Sequence, residues 1–75
     1  MDLDNLIVMA NRIGQFFAAV PDRDEALAGI ADHVKKFWEP RMRTQILAAV
    51  GTDAGAGLSD IVAAALVKHR AALQP

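Results

Sequence analysis

Hydrophobic residues recur along this chain at intervals of three and four residues, which is the spacing of one face of an α-helix. They fall into four segments separated by proline or glycine, and no segment shows the sustained alternation typical of a strand. The pattern therefore predicts an all-α fold, a small bundle of three to four helices. We divide this single domain into a three-helix core at residues 1–50, a glycine-rich linker or mobile loop at 51–58 and a C-terminal helix at 59–75.

The first helix has more apolar surface than one core contact requires. It is predicted from Leu3 to about Ala19, with Asp2 or Asp4 accepting free backbone N–H groups at its start. Its apolar arc covers roughly half of the circumference, against the ~100° stripe that faces a core. Three residues beside the main stripe make up this surplus: Met9, Phe16 and Val20. Gly14 lies inside the stripe, which predicts a close approach of a neighbouring helix.

Proline and acidic residues set the limits of the second helix. Pro21 ends the first helix because it disfavours helical geometry at the preceding residue. Asp22 and Glu25 have the spacing of a capping box, so the second helix begins at Asp22. It runs to about Trp38, with its apolar stripe facing the core.

The two remaining helices are separated by the linker. The third runs from Pro40, which suits the first turn of a helix, to about Val50, and Gly51 suits its C-terminal cap. Ser59 can cap a last helix that extends to about Leu73. This helix is rich in alanine and has few large side chains to bury. We therefore expect it to pack loosely or to require a partner.

The segment KKFWEPRMR joins the second and third helices, and two interpretations of it stay open. Phe37 and Trp38 both border the apolar stripe, so both can point inward as core residues at a tight corner. Arg41 and Arg43 point roughly 200° apart, which argues against a phosphate-tracking patch. Arg43 can pair with Glu39 across one helical turn. Arginine around an apolar surface is also the usual composition of a protein interface, which is the second interpretation.

Composition favours a binding protein over a nucleic-acid binder. The chain has 75 residues, no cysteine and 53% hydrophobic residues, and its net charge is −1. A chain this short with so high a hydrophobic fraction either packs very efficiently or leaves apolar surface for a partner to cover. A nucleic-acid binder normally has a strong basic excess.

The N-terminus lacks the charge order of a secretory signal and no apolar run could span a bilayer, so we expect a cytoplasmic protein that does not bind membranes.

The candidate chemical groups are few and scattered. His33 and His69 are far apart and have no metal-ligand spacing, so we interpret both as partly buried or boundary residues. The glycine-rich stretch lacks the lysine and hydroxyl residue of a phosphate-binding loop. We predict no catalytic, cofactor-binding or metal-binding residue and no cofactor in this chain.

Four short motifs give the sequence a family resemblance. They are M-A-N-x-I-G-x-F-F, P-D, I-A-x-H and F-W-x-P-R-M-R, found at Met9–Phe17, Pro21–Asp22, Ile30–His33 and Phe37–Arg43. With these motifs the chain, from Asn5 to Val50, resembles the delta subunit of the soluble NAD-dependent, molybdenum-containing formate dehydrogenases. The resemblance implies an accessory subunit that works beside a molybdenum-containing alpha subunit. It also implies that the redox cofactors are carried by the alpha, beta and gamma subunits and not by this chain.

The resemblance and the apolar surplus together give an interface hypothesis. The residues expected to meet the alpha subunit are Met9, Phe16, Val20, Trp38, Arg41 and Arg43. If Trp38 is an interface anchor, Trp38→Ala weakens the complex and leaves helix content intact; if it is a core residue, the isolated domain unfolds. The alternative function is an independent regulatory or DNA-binding protein, with the second and third helices imitating a helix-turn-helix. A homo-oligomer is compatible with either function.

Overall fold

The computed structural model describes residues 2–75, and the regular structure in that range is helical, with no strand. Five α-helices follow one another: α1 (Leu3–Phe17), α2 (Arg23–Phe37), α3 (Pro40–Ala49), α4 (Asp60–Lys68) and α5 (Arg70–Leu73). A short 3₁₀ helix, Asp53–Gly55, lies between α3 and α4. The prediction of an all-α fold is confirmed.

Side-chain caps begin the first two helices where the sequence predicts them. The Asp2 carboxylate accepts a hydrogen bond from the backbone N–H of Asp4 at 3.3 Å, and the Asp22 carboxylate accepts one from Glu25 at 3.1 Å. Each bond satisfies a backbone donor that has no partner within its helix. Gly51 follows α3 with a φ of +82°, the left-handed conformation that favours glycine at a C-terminal cap.

The core receives side chains from all five helices. Its largest fully buried members are Leu6, Ile30, Val34, Ile46, Val62, Leu66 and Leu73. Burying one such side chain contributes about 1.5–3 kcal/mol relative to leaving it exposed. Because every helix supplies at least one of them, removal of any single helix would leave apolar surface uncovered on the others.

The expectation that the last helix packs loosely is wrong. Ala65 and Leu66 of α4 are buried, and α4 packs against both α1 and α2. Gly14 permits this contact, since a Cβ atom at that position would lie 2.6 Å from Cγ2 of Val62. Small residues let the helix axes approach closely, so a helix with few large side chains can still be fully covered.

The predicted single helix at 59–73 is broken at His69, whose φ of −107° and ψ of 21° separate α4 from α5. No glycine or proline marks this break in the sequence. Tertiary hydrogen bonds hold α5 instead: Arg70 donates to the carbonyl oxygen of Leu47 at 3.2 Å, and Arg43 donates to that of Leu73 at 2.9 Å. The two arginines thus bind α3 and α5 to each other.

The glycine-rich stretch at 51–58 is held against α1. Leu58 is buried in the core, and the Asn11 side chain binds the backbone on both sides of it. Its Nδ2 donates to the carbonyl of Gly57, and its Oδ1 accepts from the N–H of Ser59, both at 2.9 Å. Ser59 occupies the N-cap position of α4, but its hydroxyl does not form the predicted capping bond. Asn11 therefore fixes the start of α4.

Candidate protein-binding surface

An apolar groove lies on the protein surface between α1 and α2. It has a volume of about 260 Å³ and is lined by Ile13, Phe16, Phe17 and His33. Phe37, one turn after His33 on α2, adjoins the groove by packing against the His33 ring. Phe16 is 74% exposed and Phe37 is 71% exposed, which is unusual for phenylalanine in a folded domain. These five residues are called the aromatic groove below.

Ring pairs fix the aromatic side chains of the groove. Phe17 lies over Gly29, where a Cβ atom would overlap the phenylalanine ring. Phe16 stands edge-on to Phe17, with 5.1 Å between ring centroids. On the opposite side, His33 and Phe37 pair at 4.7 Å. Such pairs contribute about 0.5–1.5 kcal/mol beyond their area burial, so each exposed phenylalanine is held by an aromatic neighbour.

The three interface residues predicted on α1 and after it have different environments. Phe16 belongs to the groove and is the most exposed of them. Val20 is half-buried and lines a neighbouring depression with Phe17 and Glu25. Met9 is half-buried and packs against the edge of the core. Phe16 is therefore the one that offers a partner the largest fraction of its side chain.

The corner between α2 and α3 separates its two aromatic residues. Trp38 is only 5% exposed and belongs to the core, which agrees with the core interpretation and removes it as an exposed anchor. Phe37 is exposed, so only one of the two rings takes the inward position that the core interpretation allows for both. The last residue of α2 is Phe37, and Trp38 enters the core from extended backbone with φ −92° and ψ 137°. Helical periodicity continued through Trp38 predicts the burial of Trp38 but not the exposure of Phe37.

Arg43 is a structural cap at this corner and does not form the predicted pair with Glu39. Its Nη1 donates to the carbonyls of Trp38 at 2.9 Å and Lys35 at 3.4 Å, and its Nε donates to that of Leu73. The last carbonyls of a helix have no partner within it and carry partial negative charge. The guanidinium satisfies them at the end of α2, so Arg43 is tied to its own chain.

Half of the eight lysines and arginines are either paired with carboxylates or bound to backbone carbonyls. Lys36 lies 3.0 Å from Asp32, and Lys68 lies 2.8 Å from Asp24. The hydrogen bond from Lys68, together with its charge, lowers the pKa of Asp24. Among residues 2–75, the lysines and arginines that form no ion pair or carbonyl bond are Arg12, Arg23, Lys35 and Arg41. They come from three different helices, which does not favour a continuous phosphate-binding surface.

The two histidines lie in different environments. His33 is exposed in the groove, and His69 is half-buried at the break between α4 and α5. Nε2 of His69 is buried and has no hydrogen-bond partner in the described part of the chain. Within residues 2–75, no group of three or more histidine and carboxylate side chains is arranged to hold a metal ion.

The family model for the NADH-dependent formate dehydrogenase delta subunit, FdsD, matches residues 5–66 of the 75-residue chain. The chain belongs to this family. The match extends beyond the motifs recognised between Asn5 and Val50 and includes most of α4. A search of curated proteins and a search of solved structures each gave no match. In residues 2–75, no helix combines the length and apolar character needed to cross a membrane.

The family match contains the whole aromatic groove, and α5 lies beyond it. Phe16 is the one groove residue that the sequence indicated as a candidate for partner binding. His33 and Phe37 were not predicted to bind a partner, although their spacing of four residues places them on one side of α2. Ile13 and Phe17 were not predicted as binding residues either, because half-exposed residues on an apolar stripe cannot be distinguished from ordinary core positions in a sequence.

Proposed function

We propose that this chain is a non-catalytic accessory subunit of soluble NAD-dependent formate dehydrogenase. It binds the molybdenum-containing catalytic subunit and stabilises that subunit or assists its assembly. The observation that carries the proposal is the match of the delta-subunit family over residues 5–66, which contains four of the five helices in whole or in large part. Formate oxidation and NAD reduction then belong to the other subunits, and this chain contributes by stabilising the complex.

The roles of the polar side chains support an accessory function. Asp2 and Asp22 cap helices, Asn11 holds the backbone before α4, and Arg43 binds carbonyl groups. Each of these contacts is explained by the stability of the fold. The exposed phenylalanines, by contrast, have no structural reason to face water.

The regulatory alternative needs a DNA-binding surface, and the distribution of charge favours it less than it favours the accessory function. The α2–α3 corner would have to supply the basic residues of a helix-turn-helix. Arg43 is bound to carbonyls there, and Lys36 is paired with Asp32. The remaining cations are spread over three helices, and the net charge of −1 leaves no basic excess for binding phosphates.

Co-purification tests the proposed function. The tagged chain is expressed in its native host, recovered under mild salt conditions and assayed for formate-dependent reduction of NAD. We expect the eluate to contain a large molybdenum-containing chain and to reduce NAD when formate is added. A mock purification from cells with the tag alone controls for untagged enzyme. Recovery of the small chain by itself, with no activity above the mock, would contradict the proposal.

A further inference from the structure

The aromatic groove has the composition of an interface hot spot. Two ring pairs contribute to it: Phe16 and Phe17 of α1 both line the groove, and His33 of α2 lines it with Phe37 packed against its ring. An aromatic side chain buries about 150–250 Å², so the exposed parts of Phe16 and Phe37 offer roughly 220–360 Å² of apolar surface. Rings that are already held by neighbours lose little conformational entropy on binding, which favours affinity.

An unpaired cation lies beside this groove. Arg12 precedes Phe16 by one helical turn, so both residues lie on the same side of α1. Arg12 is exposed and forms neither an ion pair nor a hydrogen bond with any residue in 2–75. A guanidinium at the rim of an apolar surface is best satisfied by a carboxylate, which accepts two parallel hydrogen bonds from it.

We propose that the aromatic groove docks an apolar segment of the formate dehydrogenase catalytic subunit that carries a carboxylate opposite Arg12. The inference rests on the proposed function and adds the surface and the chemistry of its partner. Aliphatic or aromatic side chains of that segment fill the groove lined by Phe16, Phe17 and His33, with Phe37 beside it, and the carboxylate pairs with Arg12 at the rim. Trp38, which is buried at the α2–α3 corner, supports α2 from within and does not line the docking surface.

A second copy of the chain fits the groove less well than a larger partner. A twofold contact places the same surface of each copy against the other, and no carboxylate lines this groove. A stable interface also buries about 800 Å² on each side, more than twice what the two exposed rings offer. A large subunit can extend past the groove to cover the surrounding helices, which a small bundle of equal size does less readily.

Binding measurements on single variants of the full chain test this assignment. Affinity for the isolated catalytic subunit is measured for Phe16→Ser, Phe37→Ser, Arg12→Glu and Arg12→Lys. Val67→Ser is the matched control, because Val67 is 61% exposed but does not line the groove. We expect Phe16→Ser and Phe37→Ser to weaken binding by about tenfold or more, the size of a hot-spot loss.

The charge variants test the partner's chemistry. We expect Arg12→Glu to weaken binding by about tenfold, and Arg12→Lys to retain most of the affinity because it keeps the charge. The loss caused by Arg12→Glu should shrink as salt is added. Val67→Ser should bind like the wild type. Circular dichroism of each variant confirms that helix content is unchanged, so that a binding loss reflects the surface.

The outcomes separate the two proposals. If the wild-type chain does not bind the catalytic subunit, both the docking site and the proposed function are wrong. If the wild type binds and the groove variants bind equally well, the docking assignment fails and the accessory function stands. If sedimentation shows a wild-type dimer that Phe16→Ser converts to a monomer, the groove belongs to a second copy and the assignment is overturned.

Discussion

The α2–α3 corner and the aromatic groove contain the same kinds of side chain in opposite environments. At the corner, Trp38 is buried and Arg43 donates to three carbonyl groups. In the groove, Phe16 is exposed, and the neighbouring Arg12 has no partner in residues 2–75. Aromatic and arginine content alone therefore does not identify an interface. What separates the regions is whether helix ends are near enough to supply carbonyls to the arginine.

The largest expected effect on stability distinguishes two adjacent aromatic residues, Trp38 and Phe37. Trp38→Ala should cost about 3–5 kcal/mol in unfolding free energy, because it empties a large buried site. Phe37→Ala should cost less than about 1 kcal/mol, since most of that ring already faces solvent. Urea denaturation followed by circular dichroism measures both. Equal losses for the two variants would mean that the corner does not divide its rings into core and surface.

The corner also depends on the C-terminal helix that closes it. Leu73→Ala should cost about 2–5 kcal/mol, because it truncates a fully buried side chain and leaves a cavity. Ala71→Ser, at an exposed position of the same helix, is the control and should have little effect. Urea denaturation again supplies the free energies. If Leu73→Ala is as stable as its control, α5 is not part of the folded core.

A matched pair of arginines tests the capping role. Arg43→Met should cost about 1–3 kcal/mol, because the carbonyls at the end of α2 lose a charged donor. Arg41→Met, two residues earlier on the exposed side of α3, should change stability by less than about 0.5 kcal/mol. Thermal unfolding distinguishes the two. A stability loss confined to Arg41→Met would reverse the assignment of their roles.

The smallest expected effect concerns the ion pair that joins α2 to α4. The pKa of Asp24 is lowered from 3.8 by its hydrogen bond to Lys68, so the carboxylate stabilises the fold when ionised. That contribution is present above the unfolded value and is lost as pH falls through the lowered folded value. Asp24→Asn should therefore reduce the melting temperature slightly at pH 7 and leave it unchanged under strongly acidic conditions. A difference that grows with acidity would contradict the pairing.

Much of the fold could be predicted from local sequence. The helical class, the Asp2 and Asp22 caps, the proline at the start of α3 and the Gly51 cap all depend on interactions within a few residues. Gly14 was also interpretable, because glycine on an apolar stripe indicates a close helix contact. These features depend on backbone conformation and local hydrogen bonds, which a sequence pattern represents directly.

The errors concern contacts between distant segments. The loose last helix was inferred from its few large side chains, but Gly14 and Ala65 let the helices approach closely enough to bury it. The break at His69 follows from arginine contacts across the chain, and no local residue signals it. For the site, Phe16 could be identified from surplus apolar surface, whereas Phe37 borders the same apolar stripe as the buried Trp38, and periodicity did not show that only Phe37 is exposed. That Arg41 contacts a partner stays a prediction.

Photo-crosslinking in the assembled enzyme tests the central claim most directly. A benzophenone-bearing phenylalanine analogue is placed at position 16, 41 or 67 of the full chain, one position at a time, and the purified complex is irradiated. The account predicts a crosslink from position 16 to the formate dehydrogenase catalytic subunit and none from position 67. A crosslink from position 41 or 67 with none from position 16 would contradict the aromatic groove as the docking surface.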